Sequence, residues 1–407
     1  MSLRVLLLTQ WFEPEPTFKG LAFAKQLKDL GLEVEVVTGF PNYPVGKLYP
    51  GYRIRLIQHE WIDGIHITRV PLYPSHDRSI LRRIANYVSF AISAFIYCVF
   101  MPRHVDVVYA YHPPLSVGAV AVALKFCRRW RVVLDIQDLW PDTLRATGML
   151  NNARILGFIG CVAGLIYKWS DHVVVLSEGF RNRLLERGVP AEKIDVIKNW
   201  ANEQKLAQKD DAIDFCEGGR AFNILFAGNM GSAQALDTVL DAAELLQTGK
   251  SSVRFVMLGT GLEVPRLQAE AIARGLKNIK FLPSVPMSAV GSYLRAADAL
   301  LVHLRDDELF EITIPSKTQA YMASGKPILM AVKGDAAALV QEAACGLLAE
   351  PQNARSLAIA AEELANTAPA SLAAMGRRGR EYYDTHLSLK VGASKFKSVF
   401  ERVIPKK

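Results

Sequence analysis

The residues that bear most directly on chemistry lie in one run, Ile314-Pro315-Ser316-Lys317-Thr318-Gln319-Ala320-Tyr321-Met322-Ala323-Ser324-Gly325-Lys326-Pro327. Ser316 has the side chain of a helix N-cap, which puts Lys317 in the first turn. A cation there opposes the helix dipole. The placement makes sense if the lysine holds a phosphate at that helix end, where free N–H groups already favour an anion. Upstream, His303-Leu304-Arg305-Asp306-Asp307-Glu308-Leu309-Phe310-Glu311 reads either as a solvated acidic loop or as a neighbour of the same site. Two further stretches, Gly228-Asn229-Met230-Gly231 and Leu258-Gly259-Thr260-Gly261, each follow an apolar run and precede a helical one. Their glycines either let backbone approach an anion or make tight turns. Neither stretch completes G-x-G-x-x-G, and no Walker A sequence occurs.

The first half contributes loops of a different character. Gln10-Trp11-Phe12-Glu13-Pro14, Phe40-Pro41-Asn42-Tyr43-Pro44, Tyr111-His112-Pro113-Pro114 and Asp135-Ile136-Gln137-Asp138-Leu139-Trp140-Pro141-Asp142 mix aromatic rings, prolines and polar groups. They suit stacking on sugar rings, or rigid packing.

These loops need strands and helices behind them. Apolar runs at 4–8, 33–38, 105–109, 132–136 and 173–176 read as strands, with helices at 18–30, 117–126 and 155–169 between them. The polar stretch 201–220 breaks the pattern and reads as a linker. Strands then return at 222–227, 254–258, 279–282, 299–302 and 328–331, with helices near 236–246 and from 264. The expected fold is α/β, with two Rossmann-like, doubly wound parallel-sheet domains facing a central cleft. The expected boundaries are 1–200, linker 201–220, 221–388, and a C-terminal helix 389–407 that crosses back to the first domain.

Composition narrows the class. The 407 residues are 50% hydrophobic and 22% charged, which excludes disorder and a small disulfide scaffold. Residues 1–200 carry 24 Lys and Arg against 17 Asp and Glu, while 201–407 carry 24 against 23, so an anionic partner is expected at the first domain. No nucleic-acid-binding signature appears. Cys98, Cys127, Cys161, Cys216 and Cys345 are widely spaced with no C-x-x-C, which suits buried thiols in a reducing cytoplasm rather than disulfides or zinc. No signal peptide opens the chain. Residues 84–101 hold no charge and are flanked by Arg78, Arg82, Arg83 and Arg103. This segment is either a buried helix or one lying at a membrane surface. A span would set strands of one sheet on opposite sides of a bilayer.

G-N-M-G after a strand, followed later by P-S-K-x-x-x-Y-M-A-S-G-K-P, resembles the retaining family-four glycosyltransferases of GT-B fold. G-F-P-N-Y-P-x-G-K, A-Y-H-P-P-L and D-L-W-P-D resemble its WbuB-type bacterial surface-polysaccharide (N-acetyl-L-fucosamine) transferases. The resemblance implies metal-independent transfer of a sugar, with no cofactor beyond a UDP-type donor, to a polyprenyl-diphosphate-linked saccharide at the inner face of the plasma membrane. It puts the donor diphosphate on Gly228 and Gly231, with Gly20 of the first domain facing it. Asn229 and Gln234 stand where the family carries Arg and Lys, so Lys317, aided by Ser316 and Arg305, is the expected substitute. Ser284 and Val285 fall at the base position. Ile312 and Ala320 replace the family's two glutamates, which moves the ribose contact to Gln319 and leaves Glu311 to the donor sugar. His112 and Asp138 become positioning groups near the reacting carbon. The same architecture also admits a nucleotide-sugar epimerase, or a sugar-nucleotide-binding protein without turnover.

Overall fold

Runs of Val, Ile and Leu form interior strands here because a parallel sheet is covered by helices on both faces. In the computed structural model, residues 2–75, 79–112, 114–146, 150–208, 213, 215 and 221–405 are described. They form two units, 1–198 with 389–407, and 199–388.

The first unit is built on β1 (Arg4–Leu8), β2 (Glu33–Gly39), β3 (Gln58–Ile62), β4 (Ile65–Val70), β5 (Val107–His112), β6 (Arg131–Ile136), β7 (His172–Val175) and β8 (Ile194–Val196). They lie in the order β3-β4-β2-β1-β5-β6-β7-β8. Every pairing is parallel except β3–β4. That hairpin turns at Asp63 and Gly64, with φ of 50° and 76°, as a two-residue primed turn requires. The strand expected at 105–109 starts later and runs to His112, so its last residue sits at the strand's carboxyl end.

Crossovers from β4 to β5, β5 to β6 and β6 to β7 all step the same way across the sheet. Right-handed connections therefore set their helices, Ile80–Phe100, Leu115–Arg128 and Ala153–Trp169, on one face. Helix Ile80–Phe100 buries Asn86, Phe90, Ala94 and Cys98, one residue per turn, and exposes the opposite stripe. It is long and apolar enough to cross a membrane but only 22% buried, so it is not the enclosed helix that was one expectation. It joins two strands of one sheet. On the other face, helix Leu21–Asp29 meets helix Leu389–Val403, where the Phe23 and Phe396 rings lie 5.2 Å apart.

The second unit holds β9 (Phe222–Asn229), β10 (Val253–Thr260), β11 (Ile279–Leu282), β12 (Ala299–His303), β13 (Ile328–Ala331) and β14 (Gly346–Leu348). Their order is β11-β10-β9-β12-β13-β14, all parallel. The strand order reverses between β9 and β12, which opens a crevice beyond their carboxyl ends. Two expectations need correction. The described part of 201–220 is no free linker: helix Glu203–Leu206 lies so close to helix Met287–Ala296 that a Cβ on Gly291 would sit 2.2 Å from the Leu206 carbonyl. Most of 209–220 lies outside the described residues. Cys98 and Cys345 are buried as expected, but Cys127 and Cys161 are exposed; Cys216 lies outside the described residues.

Candidate active site

The second-unit crevice is shaped by glycines. Gly228 pairs with Gly259 across β9 and β10. At φ 144°, a Cβ on Gly259 would lie 2.0 Å from the Gly228 carbonyl oxygen, so no side chain fits there. Gly228 has φ 138°, and a Cβ on it would face the Lys317 Nζ at 3.4 Å. The absent side chain leaves that ammonium next to the strand end.

Lys317 rises from the start of helix Ser316–Ser324, beyond β12. Its Nζ is buried, lies 3.6 Å from the Phe226 ring centroid and has no hydrogen-bond partner. The cation–π contact offsets part of the desolvation cost. Burial still lowers its pKa to about 7. An unpaired buried amine is costly, and an anion would relieve that cost.

Beside it, His303 ends β12 with no exposed surface. Its Nδ1 is 2.7 Å from the Gln234 carbonyl, which can only accept, so Nδ1 carries the hydrogen. Nε2 is then a bare acceptor, buried and without a partner, as is the Thr318 hydroxyl. Burial, reinforced by the Lys317 charge against the Gln234 bond, holds the ring's pKa down at about 4.

The other residues expected around the phosphate divide. The Gly231 N–H donates to the Gln234 side chain at 2.9 Å, so Gln234 closes its own loop. Asn229 is exposed at the tip of β9. Arg305 donates to Asp307 at 3.1 Å, which shares its charge, and lies over the Phe310 ring at 5.8 Å. Ser316 is not the cap: Pro315 holds that position, and no side chain accepts from the first turn. Gln319 is 1% exposed, and with its amide oriented to satisfy both ends its nitrogen donates back to the Pro315 and Ser316 carbonyls at 3.0 and 3.2 Å. Reaching a ribose would cost it those bonds. Ser284 and Val285 follow β11, two strands from β9 along the same edge. Glu311 ends the short helix Glu308–Glu311, with its carbonyl against Gly334, where a Cβ would come within 1.9 Å.

The first unit also has its switch point, between β1 and β5. Gly20 caps helix Leu21–Asp29, but the anion facing it belongs to the chain. A Cβ there would lie 2.5 Å from the Glu13 carboxylate, and the Leu21 N–H donates to Glu13 at 2.8 Å. One N–H of the helix end is thus already taken by the chain's own carboxylate, whose closeness is the physical reason for the glycine. His112 is wholly buried, with both ring nitrogens unpartnered, and is pressed so closely on Gly118 that a Cβ would sit 2.6 Å from its Cδ2. Burial depresses its pKa to about 4, so the ring is neutral at pH 7. Asp138 is half-buried after β6, and burial raises its carboxyl to about 6.

Three further groups gain individual roles only from the structure. Glu15 is 2% exposed and accepts from the N–H groups of Phe12 (3.2 Å), Asn42 (2.7 Å) and Tyr43 (2.7 Å). Burial raises its pKa to about 7 against those bonds. It fastens the loop after β1 to the loop after β2, where the Trp11 and Tyr43 rings lie 4.9 Å apart. Its only signal was an acid between two prolines, Pro14 and Pro16. Lys19 and Asp135 form a buried ion pair at 2.5 Å, joined by Gln137 at 2.6 Å and by the Tyr109 hydroxyl. His303 is the third, which in sequence only opens the acidic run that ends at Glu311.

Residues 21–200 match the Glycosyl transferase 4-like domain, and residues 221–367 match Glycosyl transferases group 1. The putative colanic acid biosynthesis glycosyl transferase WcaI of Escherichia coli K12 is 28% identical over 336 residues, covering 77% of this chain and 79% of WcaI. Sucrose-phosphate synthase of Thermosynechococcus elongatus aligns with a TM-score of 0.73 at 16% identity, covering 98% of this chain and 99% of that one. Anabaena HepE in complex with UDP and glucose aligns at 0.66 and 16%, covering 98% and 99%.

Proposed function

We propose that this chain, which belongs to the GT-B glycosyltransferases through both its 4-like and its group 1 domain, moves a sugar from a UDP-sugar to a hydroxyl of a lipid-linked saccharide, with retained anomeric configuration. The observation that carries the reading is the buried, unpartnered Lys317 ammonium against Gly228, at the strand-order switch of the group 1 domain. A diphosphate laid there meets one cation and the open N–H groups of helix Ser316–Ser324. As the bond from the anomeric carbon to the phosphate oxygen breaks, charge grows on that oxygen, and these groups stabilise it without a metal. The acceptor oxygen bonds to the anomeric carbon from the same face, and its proton passes to the leaving phosphate oxygen.

Glu311 takes hydroxyls of the donor sugar, and Ser284 and Val285 take the base through their backbone. Asp138 positions the acceptor. His112 supports the strand end from beneath, since it has no exposed atom. The HepE complex with UDP and glucose supports a UDP-sugar donor for this fold. The name of WcaI supports a place in bacterial surface-polysaccharide synthesis. In this reading the transferred group is an N-acetylated deoxy-amino sugar. A lipid-linked acceptor brings the first unit to the inner face of the membrane, where segment 78–104 meets anionic headgroups through Arg82, Arg83 and Arg103. Arg78 lies outside the described residues.

A thermal-shift panel of nucleoside diphosphates and their sugars tests the donor, because a true donor stabilises the fold by mass action. UDP is expected to raise the melting temperature in the presence of EDTA. No shift with any nucleoside diphosphate refutes the reading. Proton NMR of the first product reads the anomeric outcome.

A further inference from the structure

We infer that the membrane surface of the first unit is a three-helix layer, in which helix Ala153–Trp169 is a second docking helix beside Ile80–Phe100, and that this layer lies flat on an anionic leaflet. The inference rests on the reading above that this unit meets a membrane.

Helix Ile80–Phe100 exposes Leu81, Ile84, Val88, Ile92, Ile96 and Phe100, one long stripe at helical spacing. Helix Ala153–Trp169 exposes Ile155, Phe158, Leu165 and Trp169 on its own outer side, with Phe158 69% exposed. Helix Leu115–Arg128 lies between them on the same sheet face. Its Phe126 is exposed and reaches the Trp169 ring at 5.2 Å. The carboxyl ends of all three helices are tied together. Lys125 donates to the Trp169 carbonyl at 2.9 Å, and Arg128 donates to the Val99 and Met101 carbonyls at 2.8 Å.

This layer exposes eleven large apolar side chains, against five for the whole described second unit. Such a concentration marks a docking surface rather than ordinary scatter. Charge identifies the partner. The three helices contain no Asp or Glu, while Arg82, Arg154 and Lys168 stand exposed beside the apolar rows; Lys125 is paired with Asp171 at 2.9 Å. A second copy docked by two-fold symmetry would set these cations against one another. Anionic headgroups over an acyl layer match both features at once.

The layer also fixes orientation. Its helices run along the sheet, so the strand carboxyl ends point sideways, parallel to the leaflet, about one helix diameter (~10 Å) above it. Asp138 and the loop after β1 would then open at the height of a headgroup-borne saccharide, with the buried His112 behind them.

The test compares two surface variants of the full chain, Phe158→Ser with Leu165→Ser and Val88→Ser with Ile92→Ser, by sedimentation with phosphatidylethanolamine–phosphatidylglycerol vesicles and with phosphatidylcholine vesicles. Each pair is expected to weaken binding to the anionic vesicles about tenfold or more. The UDP-induced thermal shift, which lies in the other unit, should be unchanged and so report an intact fold. Loss on both pairs, with weak binding to phosphatidylcholine alone, supports the layer. Loss on the Val88/Ile92 pair only overturns the second helix and leaves the membrane reading standing. Loss on neither overturns both. A stable dimer in the absence of lipid that Phe158→Ser splits also overturns the inference.

Discussion

Replacing Lys317 with methionine tests the donor site most sharply, because the change keeps the aliphatic length and removes only the amine. Burial moves the Lys317 pKa from 10.5 to about 7. At about 1.36 kcal/mol per pH unit, this is about 5 kcal/mol against the charged form in the unliganded protein. The unfolded lysine keeps its proton up to 10.5, whereas the folded one gives it up near 7. Between those values the unfolded chain binds the extra proton, so wild-type stability rises with pH across that range. The Lys317→Met variant has no such slope, and near pH 7 it should be at least as stable as the parent. Diphosphate binding has the opposite sign. The bound anion requires the ammonium, so wild-type UDP affinity falls by up to tenfold per pH unit above about 7. Charge-assisted hydrogen bonds contribute about 1.5–3 kcal/mol, so Lys317→Met should weaken UDP about ten- to a hundredfold at pH 7 and flatten the pH profile. Titration calorimetry with UDP between pH 6.5 and 9, beside thermal melts of the unliganded proteins, reads both effects. Unchanged UDP affinity, or a parallel pH profile in the variant, refutes the reasoning.

Gly259→Ala places a Cβ 2.0 Å from the Gly228 carbonyl at φ 144°, so it should destabilise by about 2–4 kcal/mol in denaturant titration and abolish UDP binding. Asp138→Asn removes a carboxyl that burial raises to about 6 from 3.8. The parent should lose stability as pH rises through that interval and the variant should not, leaving the variant about 1–2 kcal/mol more stable at pH 7 after allowing for the partial exposure of the side chain, while transfer slows. Glu311→Gln should lower the transfer rate with little change in UDP affinity; a selective loss of UDP affinity in calorimetry would contradict its place on the sugar.

The fold was legible because parallel strands are buried on both faces and read as unbroken apolar runs. β1 and β13 match their expected bounds for that reason; β11 matches too, although it is a half-buried edge strand interrupted by Lys280. β8 and β14, three residues each, are too short to stand out, and their pairing depends on neighbours that sequence cannot place. The β3–β4 hairpin is marked in sequence by its Asp63-Gly64 pair alone, because its strands carry no continuous apolar run. At the candidate site, the glycines at strand ends and the lysine at a helix start are legible by type and position. Ser316 and Gln319 misled, because a capping or binding side chain is defined by where it points, and Gln319 points back at its own helix end.

By itself the sequence determined two doubly wound halves, a basic first half and a lysine at a helix start, since composition and periodicity follow directly from the order of residues. Tertiary structure alone decided that Lys317 meets Gly228 and Phe226, that Glu13 accepts the first N–H of the helix beginning after Gly20, and that three separate helices pool their exposed apolar rows. Each of these depends on chain segments far apart in sequence brought within ångströms by strand order, and strand order is set by crossover handedness and burial, which no local pattern records.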